Sequence, residues 1–292
     1  MGESAVPTSQ RRRMAAAAAV AVLAVTAGCG GSSGTAQQRA AATTPAGRVD
    51  LGVVAVTARI GGDRVQSSGV VLDAGRGLVL TTAHGVWGAR SLKVSTGIAV
   101  LHGRIVARDA CDDLAVLETQ PRLPGLVAVR PSADGTLLTG RPIVAARRRS
   151  GLPSRGPELL TQRVTVKPGA APALLPGLRA KRTMTLEGAL PAAASGAPLL
   201  GADGRLAGMA QVVQRRGRTV RAALPWDAIG ARLRELKPGG RAQYVGWRRH
   251  YGCQDVLHRY QAARHAGYRR GDAQLNAPVP ATRLRGTEDV DR

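Results

Sequence analysis

Three short segments hold side chains whose types and order could do nucleophilic chemistry. Leu78-Val79-Leu80-Thr81-Thr82 reads as an apolar strand running through Ala83 into a single histidine, His84, at the turn that follows. Asp113-Leu114-Ala115-Val116-Leu117 sets a carboxylate at the head of a second strand, and Ser195-Gly196-Ala197-Pro198-Leu199 sets a hydroxyl at the head of a third. A serine is unreactive at its own pKa and needs an adjacent base to take its proton. Histidine titrates near neutrality and can carry that proton in both directions. Taken alone, His84 reads equally well as a core residue or a turn cap. Asp113, 29 residues on, and Ser195, 82 further, move the reading toward catalysis.

The elements that must position these residues are short and β-rich. From Val49 the chain falls into runs at Val53–Ile60, Val65–Leu72, Leu78–Thr82, Leu92–Ser95, Ile98–Val106 and Leu114–Glu118. A second set follows at Leu126–Val129, Pro142–Ala146, Gln162–Val166, Thr183–Leu186, Ala197–Leu200, Leu206–Val213 and Thr219–Leu224. Glycine-rich turns such as Gly61-Gly62-Asp63 punctuate them. Many short strands of this kind predict an all-β protein, and two sets joined near Gln120–Gly125 predict two packed six-stranded antiparallel barrels. Arg147–Pro157, rich in Arg and Gly, reads as an exposed loop. Pro225-Trp226-Asp227 opens a helix to about Lys237, with Ile229, Leu233 and Leu236 on one face.

The N-terminus bears on compartment. Arg11-Arg12-Arg13 precedes an apolar run from Met14 to Ala27, then Gly28 and Cys29. Such a run is too short to span a bilayer as a mature helix but suits the core of a signal peptide. Small residues before a cysteine resemble the bacterial lipobox, with Thr26 in place of the usual Leu. Residues 1–28 are therefore expected to be removed and Cys29 lipidated, with ordinary secretory cleavage as the alternative; both export the protein. Residues 29–48 read as a flexible tether, 49–237 as the folded domain and 238–292 as a tail that is partly helical and then disordered from Ala277.

A formal charge of +23 comes from 42 basic residues, only four of them lysines, in a chain with no Phe. The pattern fits an Arg-rich solvated surface, or attraction to anionic lipid or cell-wall polymers; nucleic acid is not an expected partner. Cys111 and Cys253 could form a disulfide after export or remain two free thiols; spacing does not decide. The tail holds all four tyrosines, with Tyr244, Trp247 and Tyr251 and again Val256, Leu257 and Tyr260 at helical spacing, which reads as a packing stripe for the barrels or a partner. His250, Cys253, His258 and His265 match no closed zinc pattern, so no metal and no cofactor is expected.

Taken together, the three segments resemble trypsin-like serine proteases of the high-temperature-requirement (Deg-like) type. Thr82-Ala83-His84 is similar to that family's histidine motif, Asp113-Leu114-Ala115-Val116-Leu117 to its aspartate motif, and Ser195-Gly196-Ala197-Pro198-Leu199-Leu200 to its nucleophile motif. Asp203-Gly204-Arg205-Leu206-Ala207-Gly208-Met209 and Ala223-Leu224-Pro225 resemble the strands that follow. The chain order His, Asp, Ser is that of the chymotrypsin-type triad. The resemblance covers roughly residues 50–237 and implies a chymotrypsin-like fold hydrolysing polypeptides, without a PDZ domain in the remaining tail. It implies His84 as base, Asp113 as its orienting carboxylate and Ser195 as nucleophile, with Asp112 a rival disfavoured because the motif puts Leu directly after the aspartate. Backbone N–H groups of Ala193 and Ser195 would form the oxyanion hole. Ala189 and Leu190 would line the primary pocket and favour small or aliphatic side chains. Ala192-Ala193-Ala194 departs from the family's Pro-Gly-Asn, and Ala197 replaces a second Gly, while Glu187 keeps an acidic position. Two functions follow: an active endopeptidase, or a catalytically degenerate barrel binding envelope polypeptides or anionic polymers.

Overall fold

The computed structural model describes residues 45–120, 125–133, 137, 139–149, 158–171, 174–175, 182–215, 218–236, 243–244 and 251–265. The segments read as signal peptide and as disordered end, and most of the tether, lie outside these residues. A short helix α1 (Pro45–Gly52) leads into β1 (Val53–Ile60), β2 (Asp63–Asp73) and β3 (Leu78–Thr82). After α2 (Ala83–Val86) come β4 (Ser91–Ser95), β5 (Val100–Asp109) and β6 (Leu114–Gln120). These six strands pair in the order β5-β4-β1-β2-β3-β6, and β5 also pairs with β6, closing a barrel. The second barrel runs β10-β11-β12-β9-β8-β7 and closes on itself. Its strands are β7 (Pro142–Arg149), β8 (Glu158–Ala170), β9 (Met184–Glu187), β10 (Pro198–Leu200), β11 (Leu206–Arg215) and β12 (Arg218–Pro225). Helix α3 (Trp226–Leu236), strand β13 (Gln243–Tyr244) and helix α4 (Tyr251–His265) follow. The expected two-barrel, all-β architecture is the one observed.

Alternation explains how so few large side chains make three cores. In β1, Val54, Val56 and Ala58 point into the first barrel with Val79, Val94, Leu101 and Leu117, whereas Val53 points out. Val53 joins Val70, Leu80 and Val116 against Met209, Leu224, Ile229 and Leu236, so α3 and both barrels share one interface. Ile143, Val164, Val166, Leu186, Leu199, Val212 and Ala223 fill the second barrel.

Two expectations are corrected. No strand forms over Leu126–Val129. The Val127 N–H bonds Leu51 C=O of α1 (3.4 Å) and the Val129 N–H bonds Val71 C=O of β2 (3.2 Å), so this connector spends its donors one at a time on separate elements. The stretch at Arg147 is not loop from its start, because β7 continues to Arg149 and buries Arg148. Arg148 donates from Nε to Val53 C=O (2.8 Å) and from Nη2 to the Asp50 carboxylate (2.6 Å). It thereby clamps the second barrel onto the chain that enters the first. Arg148→Met should leave the Val53 carbonyl unpaired and cost about 2–3 kcal/mol, lowering Tm by roughly 5–10 °C in a thermal melt.

Candidate active site

The site is assembled from both barrels. His84 lies on the single turn α2 directly after β3, and Asp113 directly before β6, which pairs with β3 in a register that sets Thr82 opposite Leu114. The Ala83 N–H donates to the Asp113 carbonyl (3.1 Å), extending that pairing by one step. Asp113 is the only non-glycine residue with positive φ (55°) among the described residues, a conformation Asp tolerates better than most. An Asp109 carboxylate oxygen accepts from the N–H groups of Cys111 (2.9 Å) and Asp112 (3.1 Å), folding the turn that presents Asp113.

The Asp113 carboxylate takes two bonds from His84. Oδ1 accepts the backbone N–H (2.7 Å) and Oδ2 meets Nδ1 (2.6 Å). A buried carboxylate is an acceptor, so Nδ1 carries the proton and Nε2 is left with its lone pair, as a general base requires. Asp112, the rival, turns the other way. Its carboxylate pairs with Arg232, which also bonds Glu235 (2.7 Å). Partial burial pulls the Arg232 guanidinium down, but the hydrogen bonds and charges of these carboxylates outweigh it and hold its pKa above the usual arginine value.

Ser195 follows a 3₁₀ turn over Ala192–Ala194 and is held at the barrel junction. Its carbonyl accepts the Ser68 N–H of β2 (2.7 Å), and Ser68 Oγ donates to Ala193 C=O (2.9 Å). Gly196 has φ +86°, and a Cβ there would sit 2.1 Å from the Ser68 carbonyl oxygen, so only glycine allows the two barrels this approach. Ser195 Oγ accepts from the Val212 N–H of β11 (3.0 Å) and from Thr82 Oγ1 (3.4 Å), two residues before His84. The Ser195 N–H donates to Ala192 C=O (3.0 Å) within the turn. The oxyanion hole expected from Ala193 and Ser195 therefore has one donor engaged in this conformation.

The other expected residues are placed as follows. Leu190 is buried in the second barrel's core, beside Ala194 and Ala197, and these three line a cavity of about 220 Å³ with Ala145, Arg147 and Gln162. Ala189 is exposed, and Glu187 forms a surface ion pair with Lys167 (3.1 Å). Cys111 and Cys253 form a disulfide, closing the alternative of free thiols. Cys29 lies outside the described residues. Among those residues no cluster of three metal-ligating side chains occurs. Sequence reasoning missed Arg221 and Gln261, and read Tyr260 as packing surface without placing it at the site. Arg221 faces Val212 across the β11–β12 ladder and donates from Nε to Leu190 C=O (3.0 Å). Tyr260 sets its ring edge-on to His84 at 5.8 Å, and Gln261 Nε2 donates to the His84 carbonyl.

Residues 67–209, from β2 to β11, match the family model of the trypsin-like peptidase domain. That match makes this segment a trypsin-like peptidase domain. Among solved structures, the peptidase is similar to the active form of the Rv3671c protease from M. tuberculosis, with 18% identity, a TM-score of 0.54, and coverage of 68% of this chain and 86% of that one. It is also similar to a serine endoprotease from Yersinia pestis (19%, TM-score 0.54, 68% of each chain). A third is the HtrA-type protease AlgW, solved as a serine-to-alanine variant with a tripeptide (20%, TM-score 0.56, 68% of this chain and 64% of that one). At such identity these likenesses speak to fold. No curated protein matches the chain.

Freeing the Ser195 N–H requires the Ala192–Ala193 peptide to turn over, and the Cβ of Ala193 restricts that move. Ala193→Gly should therefore raise kcat/KM about tenfold, equivalent to about 1.4 kcal/mol, in a peptide turnover assay. Equal rates would show that alanine costs nothing there.

Proposed function

We propose that the peptidase is an exported serine endopeptidase, anchored by lipid at Cys29, that cleaves polypeptides through a His84-Asp113-Ser195 triad and an acyl-enzyme. The observation that carries this reading is the double grip of Asp113 on His84, which leaves Nε2 its lone pair, while Thr82, two residues before His84, reaches the Ser195 hydroxyl. The catalytic step begins when the Ser195 hydroxyl turns from Val212 onto Nε2. Its oxygen attacks the scissile carbonyl as His84 takes the proton, and the imidazolium is stabilised by Asp113. The released Ser195 N–H, with that of Ala193, meets the developing oxyanion. His84 then returns the proton to the leaving amine, and water repeats the sequence on the acyl ester.

Arg221 moves the expected primary specificity from small or aliphatic toward acidic side chains. Its described partners are two backbone carbonyls, Leu190 (3.0 Å) and Thr219 (3.4 Å), so its charge faces the segment beside the nucleophile without a carboxylate of its own. A substrate carboxylate entering there would supply one.

Export rests on the Arg11–Arg13 and Met14–Ala27 pattern ahead of Cys29, and an Arg-rich surface would add weak, salt-sensitive attachment to anionic lipid. If Cys29 is lipidated, Cys29→Ser should leave the membrane fraction or remain unprocessed; normal processing and retention in high salt would exclude the anchor.

Labelling with a fluorophosphonate reports a nucleophilic serine whatever the natural substrate. Ser195→Ala and His84→Ala should each abolish it, and Asp113→Asn should lower kcat about 10⁴-fold through the wrong tautomer. The engaged Ser195 N–H favours one rival, a degenerate barrel that binds envelope polypeptides or anionic polymers. A folded wild type that refuses the probe under every condition would favour that reading.

A further inference from the structure

The catalytic residues are closed off from solvent. Ser195 is 1% exposed and His84 3%, although substrate must reach both. Helix α4 lies against the His84 side of the site. Val256, Leu257 and Tyr260 pack in one apolar cluster with Val86 and Trp87 of the first barrel and Val213 and Ala222 of the second, so the helix bridges the two. His258 adds an edge contact on Trp87 at 5.4 Å. Tyr260 meets His84 edge-on, and its hydroxyl hydrogen-bonds the backbone of Gln214. Gln214 lies on β11 two residues past Val212, whose N–H holds the Ser195 hydroxyl. The phenol therefore spans from the base to the strand beside the nucleophile. Burial raises its pKa above the ordinary tyrosine value, so it stays a neutral ring and hydroxyl in that slot.

The helix is also tied down. Cys253, in its first turn, is bonded to Cys111, two residues before Asp113, across 142 residues of sequence. The link keeps the effective concentration of α4 at the cleft high, so modest contacts suffice to hold it.

We propose that α4 is an intramolecular occupant of the substrate cleft, latched by the Cys111–Cys253 disulfide, with Tyr260 filling a subsite between His84 and β11 that an aromatic side chain of a polypeptide substrate takes when α4 withdraws. The proposal rests on the serine-peptidase reading for its consequence in catalysis, but not for the physical cover. A dithiol reductant opens the latch. One thiolate attacks the Cys111 sulfur, the less buried of the two, and expels Cys253 as a thiolate. The second thiol then closes the reductant's own disulfide and frees Cys111. Two electrons and two protons pass from the dithiol to the protein.

The test uses the full chain, oxidised or treated with dithiothreitol, alongside Cys253→Ser, Tyr260→Ala and Tyr260→Phe. Tyr260→Ala keeps the disulfide, which guards against a variant that fails only because the link is lost. Fluorophosphonate labelling should rise at least tenfold on reduction, in Cys253→Ser and in Tyr260→Ala, and stay near the oxidised wild type in Tyr260→Phe. Amide hydrogen exchange over residues 193–214 and 253–261 should rise in step. Exchange that does not respond in any form overturns the cover. Exchange that rises while no form takes the probe supports the cover and sinks the nucleophile assignment instead. With the opened protein, a peptide library should show aromatic enrichment at one position on the N-terminal side of the cleaved bond. A flat profile there overturns the subsite.

Discussion

Everything chemical in this molecule depends on one buried carboxylate. Asp113 is 1% exposed, and removing a carboxylate from water costs several kcal/mol unless its oxygens are engaged. Here one oxygen takes a backbone N–H and the other an imidazole, both on His84, so the group that stabilises the charge is also the group that the charge orients. The carbonyl of the same residue takes the Ala83 N–H, and Asp109 folds the chain ahead of it. The left-handed backbone at Asp113 costs something, and the surrounding bonds over-determine it. Remove the pairing and the turn, the tautomer and the position of the base go together.

The second requirement is that a serine from one barrel meet a histidine from the other. The peptide around Ser195 is stitched to β2 by the Ser68 N–H and the Ser68 hydroxyl, and the Gly196 N–H bonds Ala210 C=O (2.7 Å). Gly196 is the residue this contact cannot replace, because any Cβ would strike the Ser68 carbonyl. Arg148 fixes the same junction from the far side by reaching Val53 and Asp50. Site geometry here is set by how the barrels dock.

Much of this was legible in the sequence, and the reasons differ by residue. β1 and β3 fall at the residues expected, and the other barrel strands shift by one to four residues at their ends, because β-branched runs between glycine turns leave little freedom; β13, by contrast, falls where Tyr244 reads at helical spacing. The His, Asp and Ser segments were legible because their chemistry needs neighbours that each motif carries locally. The rest depended on tertiary contact. Nothing local in Arg147-Arg148-Arg149 says that the middle arginine turns inward to a backbone carbonyl. Spacing could not pair Cys111 with Cys253, since their neighbourhood is created by both barrels and a helix. The tail's aromatic stripe was readable as packing surface, but not which surface it packs on. The rotamer of Ser195 is decided by the Val212 N–H, seventeen residues on, which no motif encodes.

The closed features of the site share one strand. β11 gives Ser195 Oγ its N–H from Val212, packs Val213 against α4 and offers the backbone of Gln214 to Tyr260. A polypeptide lying along β11 would compete for that surface with the helix, and it would draw the serine's loop into a new arrangement. The closed form need not be deep to be effective: a preference of about 1.4 kcal/mol leaves one molecule in ten open, and about 2.8 kcal/mol one in a hundred. A covalent latch then matters more than extra contacts. It changes how often α4 returns without adding anything to the cleft that substrate must later displace. The small, alanine-rich loop at Ala192–Ala194 fits the same logic, since a turn with few side-chain contacts of its own can change its hydrogen bonding when its neighbours move.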